Sequence, residues 1–259
     1  MGGFTSHELR NEFHKIKSRL LEQPKRCFGI PRLLRVGGCQ GEQTMTILTC
    51  FSDSHGMHKQ IVFPKRFDDE TNILVIAGDI TRHGLNAEQE LIGLNKWIGK
   101  QRFDHTILVY GNHDGFTQQY PERTRQIMTN CICLCDESVI INNIKFYGTP
   151  WSNLFCDWWW MLSEQDLEEQ YKQIPDDVDV IISHGPAKGI LDMNIQGEHC
   201  GSIALHNRVM DINPRMVISG HIHENYGIYE IGHTKFINPS ICTLDYKPTN
   251  KPIQVYSYE

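Results

Sequence analysis

The 259-residue sequence lacks several features, and each absence closes off a class of protein. No apolar run reaches the roughly 20 residues that a membrane-spanning helix needs. No basic-then-apolar secretory leader opens the chain, so the expected location is cytoplasmic. Basic charge is not in excess either: 25 Lys and Arg stand against 31 Asp and Glu, a formal net charge of −6. A sequence-independent nucleic-acid binder normally presents a basic face, so nucleic acid is not the expected partner. A small phosphate-bearing substrate stays open, because a local basic pocket needs no global charge. Internal repeats and low-complexity tracts are missing. So is a disulfide pattern: the nine cysteines (Cys27, Cys39, Cys50, Cys131, Cys133, Cys135, Cys156, Cys200, Cys242) are odd in number and scattered. In a chain of this length without a leader they read as reduced, mostly buried thiols. Cys131, Cys133 and Cys135 alternate with Ile132 and Leu134 and would share a strand face, but their spacing matches no zinc pattern.

An apolar content of 40% is ordinary for a chain with a substantial core. Residues 1–44 read as an N-terminal helical extension, with Thr5 and Glu8 as a capping box and Leu9, Phe13, Ile16, Leu20 and Leu21 on one stripe before Pro24. The opening Met-Gly-Gly-Phe-Thr-Ser also fits the loose myristoylation pattern with Gly2 as acceptor, a match that arises easily by chance. From Met45 the pattern is regular. Strands are expected at Thr46–Ser52, Asn72–Ala77, Thr106–Tyr110, Val178–Ile182, Met216–Ser219 and Ile253–Tyr258. Hairpins are expected around Asn142-Asn143 and between 226–231 and 234–238. Helical spacing marks 86–100 and 163–173. One layered α/β domain with two sheets over 45–259 fits this order.

Five polar islands follow these apolar runs: Asp53-Ser54-His55, Gly78-Asp79, Gly111-Asn112-His113-Asp114, His184 in Ser-His-Gly-Pro, and Gly220-His221-Ile222-His223. Strand ends in an α/β sheet are where a chain can aim several polar side chains at one spot. Residues two apart at a strand end point the same way, so Asp53 and His55 can face one cation, as can His221 and His223. Asp79 closes a buried run, where an unpaired carboxylate is costly. A carboxylate bridging two ions meets that need. Asn112 offers a neutral carbonyl oxygen, while His113 beside it could face substrate. Taken singly, each histidine is more often a hydrogen-bonded structural residue than a ligand. Oxygen and imidazole donors without thiolate suit manganese, iron or zinc, and a set this large suits two ions.

The order Asp-x-His, Gly-Asp, Gly-Asn-His-Asp, His, Gly-His-x-His resembles the calcineurin-like metallophosphoesterase superfamily over residues 45–259. Gly148-Thr149-Pro150-Trp151, Phe155-Cys156-Asp157-Trp158 and His223-Glu224 with Tyr226-Gly227 resemble its branch of metallophosphoesterase-domain-containing proteins, which includes relatives of class III cyclic nucleotide phosphodiesterases. The resemblance implies a four-layer α/β/β/α sandwich with two mixed sheets. It also implies one divalent transition-metal ion on Asp53, His55, Asp79 and His223, and a second on Asp79, Asn112, His184 and His221. Manganese, iron or zinc is expected, with magnesium disfavoured. His113 would be the catalytic residue, and Asn112 and His113 would touch substrate. Two ions about 3.5–4 Å apart would acidify a water to a hydroxide that attacks phosphorus. His113 would assist the leaving oxygen.

The expected activity is hydrolysis of a small-molecule phosphodiester, a cyclic or open nucleotide diester. The alternatives are a phosphomonoesterase or protein phosphatase of the same fold, or a non-catalytic metal-binding scaffold. Related protein phosphatases carry Gly-Asp-x-x-Asp-Arg-Gly and Gly-Asn-His-Glu. This chain continues Ile80-Thr81-Arg82-His83-Gly84 and ends the third island in Asp114, which disfavours that alternative. Trp158-Trp159-Trp160 reads first as core or homodimer contact and second as a base-stacking platform. His58, Arg82 and His83 follow metal motifs and are candidates to line the pocket. His199-Cys200-Gly201 reads equally as a plain loop and as a substrate loop. The loops expected to shape the pocket are 83–88, 114–124, 152–160 and 186–208.

Overall fold

The computed structural model describes residues 34–36, 45–82, 87–156 and 158–257, all within the unit Pro31–Glu259. The helix expected from Thr5 to Leu21, the Gly2 motif and His83 lie outside the described residues. Strand β1 (Leu34–Val36) falls within the stretch 1–44 that reads as a helical extension, yet it pairs in parallel with β6 (Glu137–Ile141). Three residues are too short for a period-two pattern to register.

Long β-branched runs become strands here because both of their faces are covered. Each residue of β2 (Thr46–Phe51) is buried, as is all of β3 (Thr71–Ala77) beyond its first residue. That is the signature of parallel strands enclosed between layers. With β4 (His105–Val109) and the short β5 (Ile132–Cys133) they run parallel, and β14 (Ile253–Ser257) adds antiparallel beside β2 to complete a five-stranded sheet. The second sheet has seven strands in the order β1-β6-β7-β10-β11-β13-β12. Its parallel centre is β7 (Ile144–Thr149), β10 (Val180–Ser183), β11 (Met216–Ser219) and β13 (Thr234–Asn238). The antiparallel hairpins β6–β7 and β12 (Gly227–Ile231)–β13 flank it. A small ladder, β8 (Ser152–Asn153) with β9 (Met161–Leu162), stands apart.

The inner faces of the two sheets share one core. Leu48, Cys50, Val75, Ile107 and Val109 from the first sheet pack with Val139, Phe146, Val180, Ile182, Ile218 and Ile237 from the second. On the outer face of the first, Phe51 meets Trp97 of helix α1 (Ala87–Ile98) edge-on at 6.2 Å. This helix buries Leu91, Leu94 and Ile98, apolar residues at helical spacing, and Ala87 as well. Short helices α2 (Gly115–Gln119) and α3 (Pro121–Ile127) follow β4. Helices α4 (Glu164–Tyr171) and α5 (Ile203–Ile212) pack on each other, each opened by a serine N-cap, Ser163 and Ser202. The fold is thus the expected layered α/β sandwich with two mixed sheets. No helix among the described residues is long and apolar enough to cross a membrane.

The Asn142-Asn143 turn adopts φ of 49° and 61°, the left-handed pair that a two-residue type I′ hairpin needs. Helices α2, α3 and α5 begin within the ranges 114–124 and 186–208, which read as loops in sequence. The cysteines also call for a correction. Among the described residues six are free thiols, but Cys135 is disulfide-bonded. Pairing follows spatial proximity, to which sequence spacing is blind in a chain of this length.

Asp136, between β5 and β6, accepts hydrogen bonds from Thr149 Oγ1 (2.8 Å) and Trp151 Nε1 (2.9 Å). Burial dominates over these bonds and raises its carboxyl to about 6. The folded chain therefore holds this proton after the unfolded chain has released it. Its stabilising contribution is complete below the ordinary carboxylate value and is lost as pH rises through about 6. We expect Asp136→Asn to gain on the wild type by about 1–2 kcal/mol between pH 4 and 7 in urea unfolding, after discounting for partial exposure. A constant difference across that window would refute the assignment.

Candidate metal centre

Every island sits just beyond the C-terminal end of a parallel strand, and the two sheets aim these ends at one place. Asp53 and His55 follow β2, Asp79 follows β3, and Asn112 and His113 follow β4. His184 follows β10, and His221 and His223 follow β11. Four of these residues hold left-handed backbone: Asp53 (φ 52°), His55 (41°), Asp79 (52°) and His221 (70°). Side chains other than glycine rarely adopt it, and such strain gathers at functional sites. Two glycines permit close approach. A Cβ on Gly111 would stand 2.3 Å from Asp79 Oδ1, and one on Gly220 would stand 2.3 Å from Asp53 Oδ2.

Asp79 occupies the middle. Its Oδ1 lies 3.4 Å from His184 Nε2 and accepts the His113 backbone N–H at 2.8 Å. Its Oδ2 lies 3.9 Å from His55 Nε2 and 3.8 Å from His113 Nε2. Asp53 Oδ1 faces His223 Nε2 at 3.4 Å, and the His55 and His223 Nε2 atoms are 3.3 Å apart. Asn112 Oδ1 lies 2.8 Å from His184 Nε2. The His221 ring is 5.1 Å from that of His184. Three overlapping groups have donor atoms near enough to share an ion: Asp53, His55 and His223; His55, Asp79 and His113; and Asp79, His184 and His221. All eight predicted residues therefore meet. His113, read as a substrate contact, also lies within reach of a metal-binding group.

The donor chemistry fits divalent cations. His184 Nδ1 is 3.0 Å from the Ala77 carbonyl, and His223 Nδ1 is 3.2 Å from the Thr243 carbonyl. A carbonyl can only accept, so each ring carries its proton on Nδ1, as metal-ligating histidines commonly do. Each Nε2 lone pair then points at a carboxylate or amide oxygen, and acceptor facing acceptor requires a positive charge between them. Without metal that charge is a proton. Burial lowers His184, but Asp79 overrides it and lifts the imidazole to about 9; Asp53 does the same for His223, also to about 9. Burial raises Asp53 and Asp79, yet His223 in one case and His184 with His113 in the other hold both below the usual carboxylate range. Burial chiefly keeps His113 and His221 neutral, at about 4 and about 3. Two ionised carboxylates ringed by imidazoles are a place where cations displace protons.

Asp114 ties this ground together. Fully buried, it accepts from Gly111 N (2.8 Å), Thr81 N (2.9 Å), Thr81 Oγ1 (2.8 Å) and Ile80 N (3.3 Å). The loop holding Asp79 is thus bolted to the loop holding Asn112 and His113. The remaining candidates divide. Trp159 and Trp160 are buried, whereas the Trp158 ring lies 4.1 Å from that of His113. Arg82 donates to the His55 carbonyl at 3.0 Å. His58 is buried against Trp97, apart from the ligand groups. His199 pairs with Asp192 at 2.6 Å in the loop after His184 and joins none of the three groups. Tyr246, which no sequence signal marked, sets its ring 4.7 Å from His55 and 6.1 Å from His113.

Known proteins show which family the chain belongs to. The calcineurin-like phosphoesterase family model matches residues 47–225. Metallophosphoesterase domain-containing protein 1 of Homo sapiens is 33% identical over 236 residues, 81% of this chain and 70% of that protein. A UPF0046 protein of Caenorhabditis elegans is 30% identical over 223 residues, 81% of this chain and 74% of its own length. The crystal structure of a phosphopantetheinyl hydrolase from Mycobacterium tuberculosis shares the fold, with a TM-score of 0.56 and 14% identity over 82% of this chain and 96% of its own. With a family match across well over half of its length, the chain belongs to the calcineurin-like phosphoesterases, a family of metal-dependent phosphoester hydrolases.

Proposed function

We propose that the protein is a phosphodiesterase that hydrolyses a small-molecule diester, a cyclic or open nucleotide diester, on two divalent transition-metal ions. Asp53, His55, Asp79 and His223 hold one ion, and Asp79, Asn112, His184 and His221 hold the other. Manganese is the first choice of metal, ahead of iron and zinc. One observation carries the reading: the two oxygens of Asp79 face histidines on opposite sides, His184 at 3.4 Å and His55 at 3.9 Å.

Bound ions supply Lewis acidity that activates water and offsets charge on the phosphoryl oxygens. The rest belongs to the chain. Asp79 places negative charge between the two histidine groups, and Asp114 fixes its loop. The carbonyls of Ala77 and Thr243 hold His184 and His223 in the tautomer that leaves Nε2 free. His113, with its Asp79-bonded backbone, presents a neutral imidazole that can donate to the leaving oxygen.

With Mn²⁺, bis-p-nitrophenyl phosphate is expected to be cleaved faster than p-nitrophenyl phosphate, and a panel of 2′,3′- and 3′,5′-cyclic nucleotides should contain a substrate. Monoester preference, or no turnover of either compound, would overturn the proposal.

A further inference from the structure

Three aromatic side chains stand around the candidate metal centre, and no ligand role absorbs them. Trp158 lies against His113, with ring centroids 4.1 Å apart. Phe155 lies beside His221 at 5.5 Å. Tyr246 approaches His55 at 4.7 Å and His223 at 6.3 Å from another side. Phe155 is 62% exposed and Tyr246 44% exposed. Large apolar rings left bare beside a polar cluster mark a binding surface more than a packing remnant.

The fold anchors the base of one ring-bearing segment and the backbone of the other. Ser152 N bonds Trp160 O at 3.0 Å and Leu154 N bonds Leu162 O at 2.9 Å, closing the base of the loop that carries Phe155 and Trp158. Trp160 Nε1 donates to Thr117 Oγ1, and its backbone N to Gln118 Oε1, both at 3.0 Å, which anchors that loop to α2. The Thr243 carbonyl that orients His223 also accepts the Tyr246 backbone N–H at 2.8 Å. Tyr246 holds φ of 57°, a left-handed conformation that suits Gly or Asn and strains a bulky side chain. A tyrosine kept there despite this strain sets its ring over the histidines. Its hydroxyl makes no hydrogen bond among the described residues and is available to a ligand.

We infer that Phe155, Trp158 and Tyr246 form an aromatic collar that grips a planar aryl group carried on one arm of the phosphoester, and so select substrate. The inference rests on the phosphodiesterase reading above. Neutral π faces add nothing to the binding of a bare phosphoryl group, but they stack a ring projecting from the metal centre. Base–aromatic stacking is worth about 1–3 kcal/mol per ring, so the discrimination between aryl and alkyl ligands is roughly 10-fold or more.

The test compares phenylphosphonate with methylphosphonate as competitive inhibitors of bis-p-nitrophenyl phosphate hydrolysis by the Mn²⁺-loaded protein. The wild type should bind the phenyl compound about 10-fold more tightly. In Trp158→Ala and in Tyr246→Ala that ratio should fall to roughly 2–3, while Tyr246→Phe keeps most of it. The ratio is internal to each variant, so a general loss of activity leaves it readable. If Trp158→Ala fails to fold by circular dichroism, the exposed Tyr246→Ala carries the test. Equal inhibition of the wild type by both compounds, or an undiminished ratio in the folded alanine variants, would overturn the collar. Absence of hydrolysis would instead overturn the phosphodiesterase reading.

Discussion

Asp79→Asn is expected to lower phosphoester hydrolysis by about 10³-fold or more, roughly 4 kcal/mol of transition-state stabilisation, while the protein still folds. Asparagine keeps the shape and can still accept the His113 N–H through its oxygen. It removes the negative charge that faces His184 on one side and His55 and His113 on the other. Elemental analysis should show the variant holding less metal than the wild type. In the metal-free state at neutral pH it should be less stable than the wild type, because the change takes away the carboxylate that charges the buried His184. His113→Ala provides the contrast: activity falls similarly, but metal content stays near the wild-type level. An active Asp79→Asn enzyme would sink the bridging role.

Asp114→Ala should produce the largest loss of stability, about 4 kcal/mol in denaturant unfolding. The change strands three buried backbone N–H groups, of Gly111, Thr81 and Ile80, and leaves the Thr81 hydroxyl only its longer bond to the His113 carbonyl. Each unsatisfied buried donor costs about 1–3 kcal/mol, with partial relief by local relaxation. Activity should fall with it, since the freed loops carry Asp79, Asn112 and His113. Burial, then the charge of Asp79, pushes the Asp114 carboxyl up to about 7, so proton uptake there is easy and the protonated side chain still accepts. A stability loss under about 1 kcal/mol would show that the loops are held by something else.

Much of this protein was legible in its sequence, and the physical reasons separate what was from what was not. The strands bearing the islands announced themselves because parallel strands buried on both faces need unbroken β-branched runs, as in Ile73-Leu74-Val75-Ile76-Ala77. The Asn142-Asn143 hairpin was legible because left-handed turns restrict composition. The candidate ligands were legible from residue type and position at strand ends, and their division between two ions is what the resemblance to metallophosphoesterases implies. The helix Ile203–Ile212 was hidden because it buries little beyond Leu205 and Val209, so no strong stripe appears. Helices of five and seven residues after His113 leave no periodicity to detect. Asp114 reads as one more polar residue in a loop, since its four donors come from backbone and from Thr81. Tyr246 lies beyond any motif, and only chain folding brings it to His55 across 191 positions (246 − 55).

The ligand cluster draws from both halves of the sandwich: Asp53, His55, Asp79, Asn112 and His113 hang from one sheet, and His184, His221 and His223 from the other. Cations seated among them would rivet the rim where the layers meet, beside the cross-sheet bond from His184 to Ala77. Cohesion of the whole sandwich then becomes a function of free cation concentration, gaining about 1.4 kcal/mol for each tenfold excess over the dissociation constant. Starvation for that cation would loosen the entire architecture as well as silence its chemistry.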